Sequence, residues 1–221
     1  AYWPGAAAAD DWGTSYAGHF LLEARRQGFA VPAGMLENWA DYQRRLGRDP
    51  GGQPWQWAGQ AYRLYTLALA GEPEVGAQNR LREALSAQAD ADSRQPGYQA
   101  ARWLLAAAYQ RMGLNDVAGE LIAGADTPSE YHRPGPTYGS ALRDQAIELL
   151  VRDARGDSDG AWRQAEAIAG QLASQQWYST QSTAWALMAM ARFAGSGDAG
   201  EGYRFAWRQG DGDWQQIQSQ A

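Results

Sequence analysis

Apolar, helix-like runs stop at a glycine five times along this chain. Gly28 follows Ala-Arg-Arg-Gln, Gly71 follows Leu-Ala-Leu-Ala, Gly113 follows Tyr-Gln-Arg-Met, Gly156 follows Asp-Ala-Arg and Gly195 follows Arg-Phe-Ala. The intervals are 43, 42, 43 and 39 residues. A glycine just past a helix end adopts the left-handed conformation that closes the last turn, so the spacing predicts five helices ended at a common beat. A period of this length marks stacked supersecondary units, none of which can bury its apolar face alone.

Each predicted cap is preceded by a run such as residues 16–24, 62–70, 103–109 or 184–191. These runs are apolar nearly all round, which requires cover on several sides and predicts inner helices, the run 184–191 being the extreme case. Between them lie segments with a single apolar stripe: Leu36, Trp39, Ala40 and Gln43; Leu81, Ala84 and Leu85; Trp162, Ala165, Ile168, Ala169 and Leu172. Those predict half-buried outer helices, with start signals at Pro32, Pro73 and the Asp157-Ser158-Asp159 cluster. The expected architecture is four helical hairpins followed by a ninth, unpaired inner helix.

Beyond Gly195 the periodicity changes. Residues 196–200 read as a linker, after which Tyr203, Phe205 and Trp207 alternate with Arg204, Ala206 and Arg208. A Gly-Asp-Gly-Asp turn and residues 214–217 complete a β-hairpin pattern. Hence residues 1–195 are expected to form an all-α unit, and residues 196–221 a linker and β segment. A period near 42 exceeds the 34 residues of tetratricopeptide repeats and leaves an open solenoid or a closed α/α toroid. Alternation of all-apolar with one-striped helices favours the toroid's inner and outer rings. A toroid of this kind closes with six hairpins, so the ring is expected to be incomplete, with its first part upstream.

The composition removes several function classes. The net charge is −6 with no basic block, which disfavours nucleic acid and anionic membrane as partners, and no run approaches a membrane span. There is no cysteine, so disulfides, thiolate metal sites and cysteine nucleophiles are excluded. No phosphate-binding loop, nucleophile elbow or zinc-protease helix motif occurs.

The stretch from Trp177 to Leu187, Trp-Tyr-Ser-Thr-Gln-Ser-Thr-Ala-Trp-Ala-Leu, resembles the Ser-Thr-Gln-x-Thr-x-x-Ala-Leu segment before a late inner helix in the thioester domain of α2-macroglobulins and complement proteins. Residues 11–24 with Gly28-Phe29 and Val31-Pro32 look like the corresponding bacterial α2-macroglobulin segment. Residues 62–71, residues 137–140 and Arg143-Asp144-Gln145-Ala146 extend the likeness over roughly 1–195. The resemblance implies a thioester-type α/α toroid within a protease-trapping inhibitor. It further implies a periplasmic parent, with a lipid anchor at a distant N-terminus, and proteases and neighbouring β-sandwich domains as partners. The family's Cys-x-Glu-Gln thioester cannot lie in a chain without cysteine; it is expected upstream, or absent as in one bacterial subgroup.

Candidate reactive groups each have a structural explanation. Ser179, Thr180, Gln181, Ser182 and Thr183 could form a polar pocket at an inner-helix mouth, but read better as an N-cap cluster, since no local base could activate a serine. His19, with Glu23 four residues on, reads as a satisfied buried or rim histidine before a general base. His132 lies in a Pro/Gly loop. Asp10 and Asp11 suit a helix N-terminus, although a toroid carbohydrate enzyme would place carboxylates there too, with Glu130 as a partner. Trp39, Trp103, Trp162 and Trp185 are expected in the core, whereas Trp55 and Trp57 could be presented by a Gly/Pro loop. No residue is assigned a catalytic, cofactor-binding or metal-binding role and no cofactor is implied. The leading expectation is a non-catalytic part of a protease trap, with a toroid carbohydrate enzyme or a helical-repeat binding scaffold as alternatives.

Overall fold

The computed structural model describes residues 9–48, 56–87, 96–125, 137, 139–196, 204–208 and 210–218. Among these, the helices are α1 (Asp11–Arg26), α2 (Met35–Gly47), α3 (Trp57–Leu69), α4 (Val75–Ala87), α5 (Pro96–Arg111), α6 (Asn115–Ile122), α7 (Ala141–Ala154), α8 (Ser158–Leu172) and α9 (Thr180–Ser196). The odd-numbered helices form an inner row in which α1 packs on α3, α3 on α5, α5 on α7 and α7 on α9. The even-numbered helices form the outer layer: α2 lies against α1 and α3, α4 against α3 and α5, α6 against α5, and α8 against α7 and α9. The row is curved, because Arg192 of α9 pairs with Glu23 of α1 and the rings of His19 and Trp185 lie 5.1 Å apart. This is the α/α toroid arrangement.

Four of the five predicted glycine caps hold. Gly28, Gly71, Gly113 and Gly156 have φ of 85°, 84°, 77° and 73°. Each is followed by the same pair of closing bonds; at the first, Gly28 N–H donates to Arg25 O and Phe29 N–H to Ala24 O (3.1 and 2.9 Å), and Asp157 N–H to Arg152 O (3.0 Å) repeats the pattern at the last. Gly195 departs from it: α9 continues through it to Ser196. Glycine permits the left-handed turn without requiring it, and the helical frame carries on past Phe193 at a cost of only about 1 kcal/mol relative to alanine.

The core lies between α3 and α5. Eleven residues of α3 are buried, Leu64 and Leu67 completely, and α5 contributes Trp103, Leu104, Leu105 and the small Ala106 and Ala108, which let the two helices approach closely. The outer helices bury single stripes, such as Leu81 and Leu85 of α4 or Ala165 and Ile168 of α8. A special fit joins the first hairpin, where Trp39 of α2 lies over Gly18 of α1 and its indole N–H donates to Thr14 O at 2.9 Å.

Two burial expectations are corrected. Trp162, expected on the α8 stripe, is 66% exposed; the buried face of α8 runs through Gly160, Ala161, Gln164, Ala165 and Ile168, and Trp162, one residue past Ala161, falls off that face, its ring 5.9 Å from that of Phe193. The run 184–191 is not covered all round: Ala184, Leu187 and Ala191 form an exposed stripe. As the last helix of the row, α9 has α7 and α8 on one side, while its other side faces the seam with α1. Conversely, Trp57 is buried within α3, whereas Trp55, Glu130 and His132 lie outside the described residues.

The C-terminal hairpin forms as its alternation predicts. β1 (Arg204–Trp207) pairs antiparallel with β2 (Gln215–Gln218) in the register Phe205 to Ile217 and Trp207 to Gln215. Gly210 has φ 58°, and the guanidinium of Arg208 stacks on Trp214 at 4.9 Å.

Candidate functional site

The polar residues singled out by sequence gather at the helix entrances and at the α1–α9 seam. Asp10 is the N-cap of α1: its carboxylate accepts from the Gly13 N–H at 2.5 Å, satisfying a donor that the helix leaves open. Asp11 accepts from Arg63 Nη2 at 2.8 Å. That arginine is itself buried, donating also to Gln43 Oε1 (2.9 Å) and Gln60 Oε1 (2.6 Å), while Gln43 donates to Ser15 and Gln60 to Gly47 O. One network thus ties α1, α2 and α3. Both acidic candidates are therefore engaged as a cap and as an ion-pair partner.

The hydroxyl cluster before α9 divides. Ser182 is fully buried, Ser179, Gln181 and Thr183 are half-buried, and Thr180 is exposed. The Ser179 hydroxyl accepts from the Ser182 N–H at 3.2 Å, capping the helix. The Ser182 hydroxyl lies 3.1 Å from that of Ser179 and 2.7 Å from that of Ser140, the N-cap of α7. Ser182 thus meets two other hydroxyls, and this run of hydroxyls links the entrances of α7 and α9. Beside it, Arg143 and Asp144 are a buried ion pair at 2.7 Å; Arg143 also donates to Thr137 O and stacks over Trp12 at 4.5 Å.

At the seam, His19 is 3% exposed and enclosed by the rings of Tyr62, Tyr65 and Trp185. Its Nδ1 lies 3.1 Å from the Tyr62 hydroxyl, and its Nε2 lies 3.9 Å from Glu23 Oε1 without a hydrogen-bond partner among the described residues. Burial lowers its pKa to about 4, against the opposing pull of Glu23 and with a small push from Arg192. Such an imidazole is neutral and weakly basic at neutral pH, poorly matched to general-base work. Burial pushes Glu23 upward, but Arg192 and Arg26 beside it bring the net shift below the usual carboxylate range. Among the described residues no group of three or more His, Asp or Glu side chains could hold a metal, and no helix is long and apolar enough to cross a membrane.

Sequence reasoning did not single out Arg63, Arg192 or Tyr62 as site residues, and Arg143-Asp144 entered only as part of a family segment. The available signal was a charged residue inside an otherwise apolar inner-helix run, as with Arg63 between Tyr62 and Leu64, because such a residue must find partners when its helix is buried.

No protein-family model matches the chain. Alpha-2-macroglobulin of Escherichia coli strain K12 is 31% identical to it over 185 residues, 78% of this chain. The chain belongs to the bacterial alpha-2-macroglobulin family. It spans 11% of that relative's length. The fold agrees: the native E. coli alpha-2-macroglobulin solved by electron cryomicroscopy superposes with a TM-score of 0.72 at 24% identity, over 98% of this chain and 14% of that one. A crystal structure of native E. coli alpha-2-macroglobulin spanning domain MG7 to the C-terminus superposes equally well, at 23% identity, over 98% of this chain and 34% of that one. Salmonella alpha-2-macroglobulin reacted with methylamine matches with a TM-score of 0.70 at 23% identity, over 96% of this chain and 14% of that one. Within the bacterial alpha-2-macroglobulins, the helical toroid is therefore the part this chain represents.

Proposed function

We propose that the chain is a non-catalytic segment of a bacterial alpha-2-macroglobulin-like protease trap, supplying most of its thioester-type toroid. The observation that carries this reading is the 31% identity to E. coli alpha-2-macroglobulin across 185 residues, on a chain whose helices take up that fold. Two relatives' structures were obtained after activation of the E. coli protein by porcine elastase and by trypsin, which supports proteases as partners of the longer protein. With no cysteine, the chain contributes no thioester; its part is to present and support surfaces within the machine. The tail from residue 196 would lead into a β-sandwich domain, in keeping with exposed Trp207, Trp214 and Ile217 on the hairpin. A periplasmic location for the longer protein, with a lipid anchor at its N-terminus, belongs to the same reading.

The carbohydrate-enzyme alternative is disfavoured by the engagement of Asp10 in a cap and of Asp11 with Arg63. Incubating the 221-residue chain with a panel of polysaccharides and, separately, with trypsin tests both sides. No reducing ends and undiminished trypsin activity are expected; release of reducing ends that Asp11→Asn abolishes would replace this reading by the enzyme.

A further inference from the structure

A cavity of about 130 Å³ opens between α1 and α9, walled by Tyr16, Phe20, Trp185 and Met188 and edged by Ala184, with His19 and Glu23 facing into it. Its volume is of the order, ~150 Å³, that accommodates a benzene ring. The walls are aromatic and thioether surface, suited to the face and edge of such a ring. One of its polar groups, the His19 imidazole, is incomplete. The Glu23 carboxylate 3.9 Å from Nε2 favours the neutral tautomer with its proton on Nε2, in which Nδ1, 3.1 Å from the Tyr62 hydroxyl, accepts from it. That N–H has no acceptor among the described residues, and Glu23 Oε1, at 3.9 Å, is beyond hydrogen-bond range. One hydroxyl oxygen placed between them gives Nε2–H its acceptor and donates its own O–H to the Glu23 carboxylate, whose oxygens already accept from Arg192 and Arg26.

We propose that this cavity is a binding site for an aromatic ring carrying one hydroxyl, as a free phenol or a tyrosyl side chain. The ring fills the space between Phe20 and Trp185, and the hydroxyl closes the gap between His19 and Glu23. The site stands independently of protease trapping, because it rests only on the α1–α9 seam.

The probe is p-cresol, with toluene as its counterpart lacking the hydroxyl, titrated into the 221-residue chain. Binding is read from the imidazole ¹⁵N resonances, which number only two rings in this sequence, His19 and His132. The expected result is saturable p-cresol binding at least about tenfold tighter than toluene, with the His19 Nε2 resonance shifting. His19→Phe should leave p-cresol and toluene equal, and Ala184→Phe, a change at an exposed rim position, should block both while leaving the helical circular dichroism intact. Equal affinity of the two probes for the unaltered chain would overturn the hydroxyl assignment. No binding of either, with Nε2 hydrogen-bonded only to water, would overturn the site. Given binding to the chain, the same titration on the longer protein assigns the source: refusal of p-cresol means a tyrosyl side chain of that protein fills the site, and uptake means a free phenol does.

Discussion

Substituting Gly18 by alanine sets helix propensity against packing, with opposite predicted signs. Gly18 is buried in the middle of α1, where alanine is intrinsically favoured over glycine by about 1 kcal/mol. A Cβ built at this position, however, falls within the indole of Trp39 at well under the 3.0 Å that real Cβ atoms respect, and the atoms met are ring carbons and Nε1. The ring is 8% exposed and fixed by its hydrogen bond to Thr14 O, so it cannot move aside without losing both. Overpacking costs about 1–3 kcal/mol and the lost hydrogen bond about 1 kcal/mol. After subtracting the propensity gain, Gly18→Ala should destabilise the chain by roughly 1–3 kcal/mol. In a chain of this size that lowers Tm by about 2–4 °C per kcal/mol. Urea unfolding followed at 222 nm measures it. A double-mutant cycle isolates the cause: in a Trp39→Ala background the same change at position 18 should become neutral or stabilising. Equal or higher stability of Gly18→Ala in the unaltered chain would refute the close approach of the two helices.

Other perturbations address the polar framework. Arg143→Met should cost about 3–5 kcal/mol by leaving Asp144 buried without its cation, and the double variant with Asp144→Leu should recover part of the loss in the same urea assay. Ser179→Ala should destabilise by about 1 kcal/mol through loss of the α9 cap, whereas Ser179→Asp should be tolerated, both read from thermal melts. For His19 the native pKa, about 4, lies below the 6.5 of the unfolded chain, so below pH 6.5 the unfolded state binds a proton that the native state refuses. Its contribution is full above pH 6.5 and is lost as pH falls toward 4, a total of roughly 3 kcal/mol. Stability measured between pH 7 and 4.5 should therefore slope downward, and His19→Gln should flatten that slope; an unchanged slope would show that the imidazole is solvated.

The helical-hairpin order was legible because two independent periodicities agreed: glycines 42 or 43 residues apart and the alternation of all-apolar with striped runs. Both reflect local chemistry, the left-handed C-terminal turn and the number of faces a helix must bury. What was not legible depended on the neighbours of each helix. The run 184–191 carries the composition of a fully covered helix, yet its exposure is decided by its place at the end of the row. Trp162 fits the stripe read from sequence but lies about 100° round the helix from the buried Ala161, off the face that meets the partner helices. The role of His19 was half legible: its inner-helix position gave burial, while its ring partners Tyr62 and Trp185 lie 43 and 166 residues away in sequence and met it only through the curvature of the row. The resemblance carried by Ser179 to Thr183 pointed to the family, and the structure accounts for that segment as helix caps and a hydroxyl link between α7 and α9.

If the toroid belongs to a protease trap, the longer protein proposed above should hold on to a protease that cleaves it, and elastase retention measures this. Elastase is mixed with it, and the products are followed by native electrophoresis and by activity on a protein substrate and on a small peptide. The expected result is that the longer protein is cleaved, changes mobility and carries elastase with it, so that elastase no longer cuts protein substrates while small peptides are still cut. Cleavage without retention, with elastase remaining fully active on protein substrates, would contradict it.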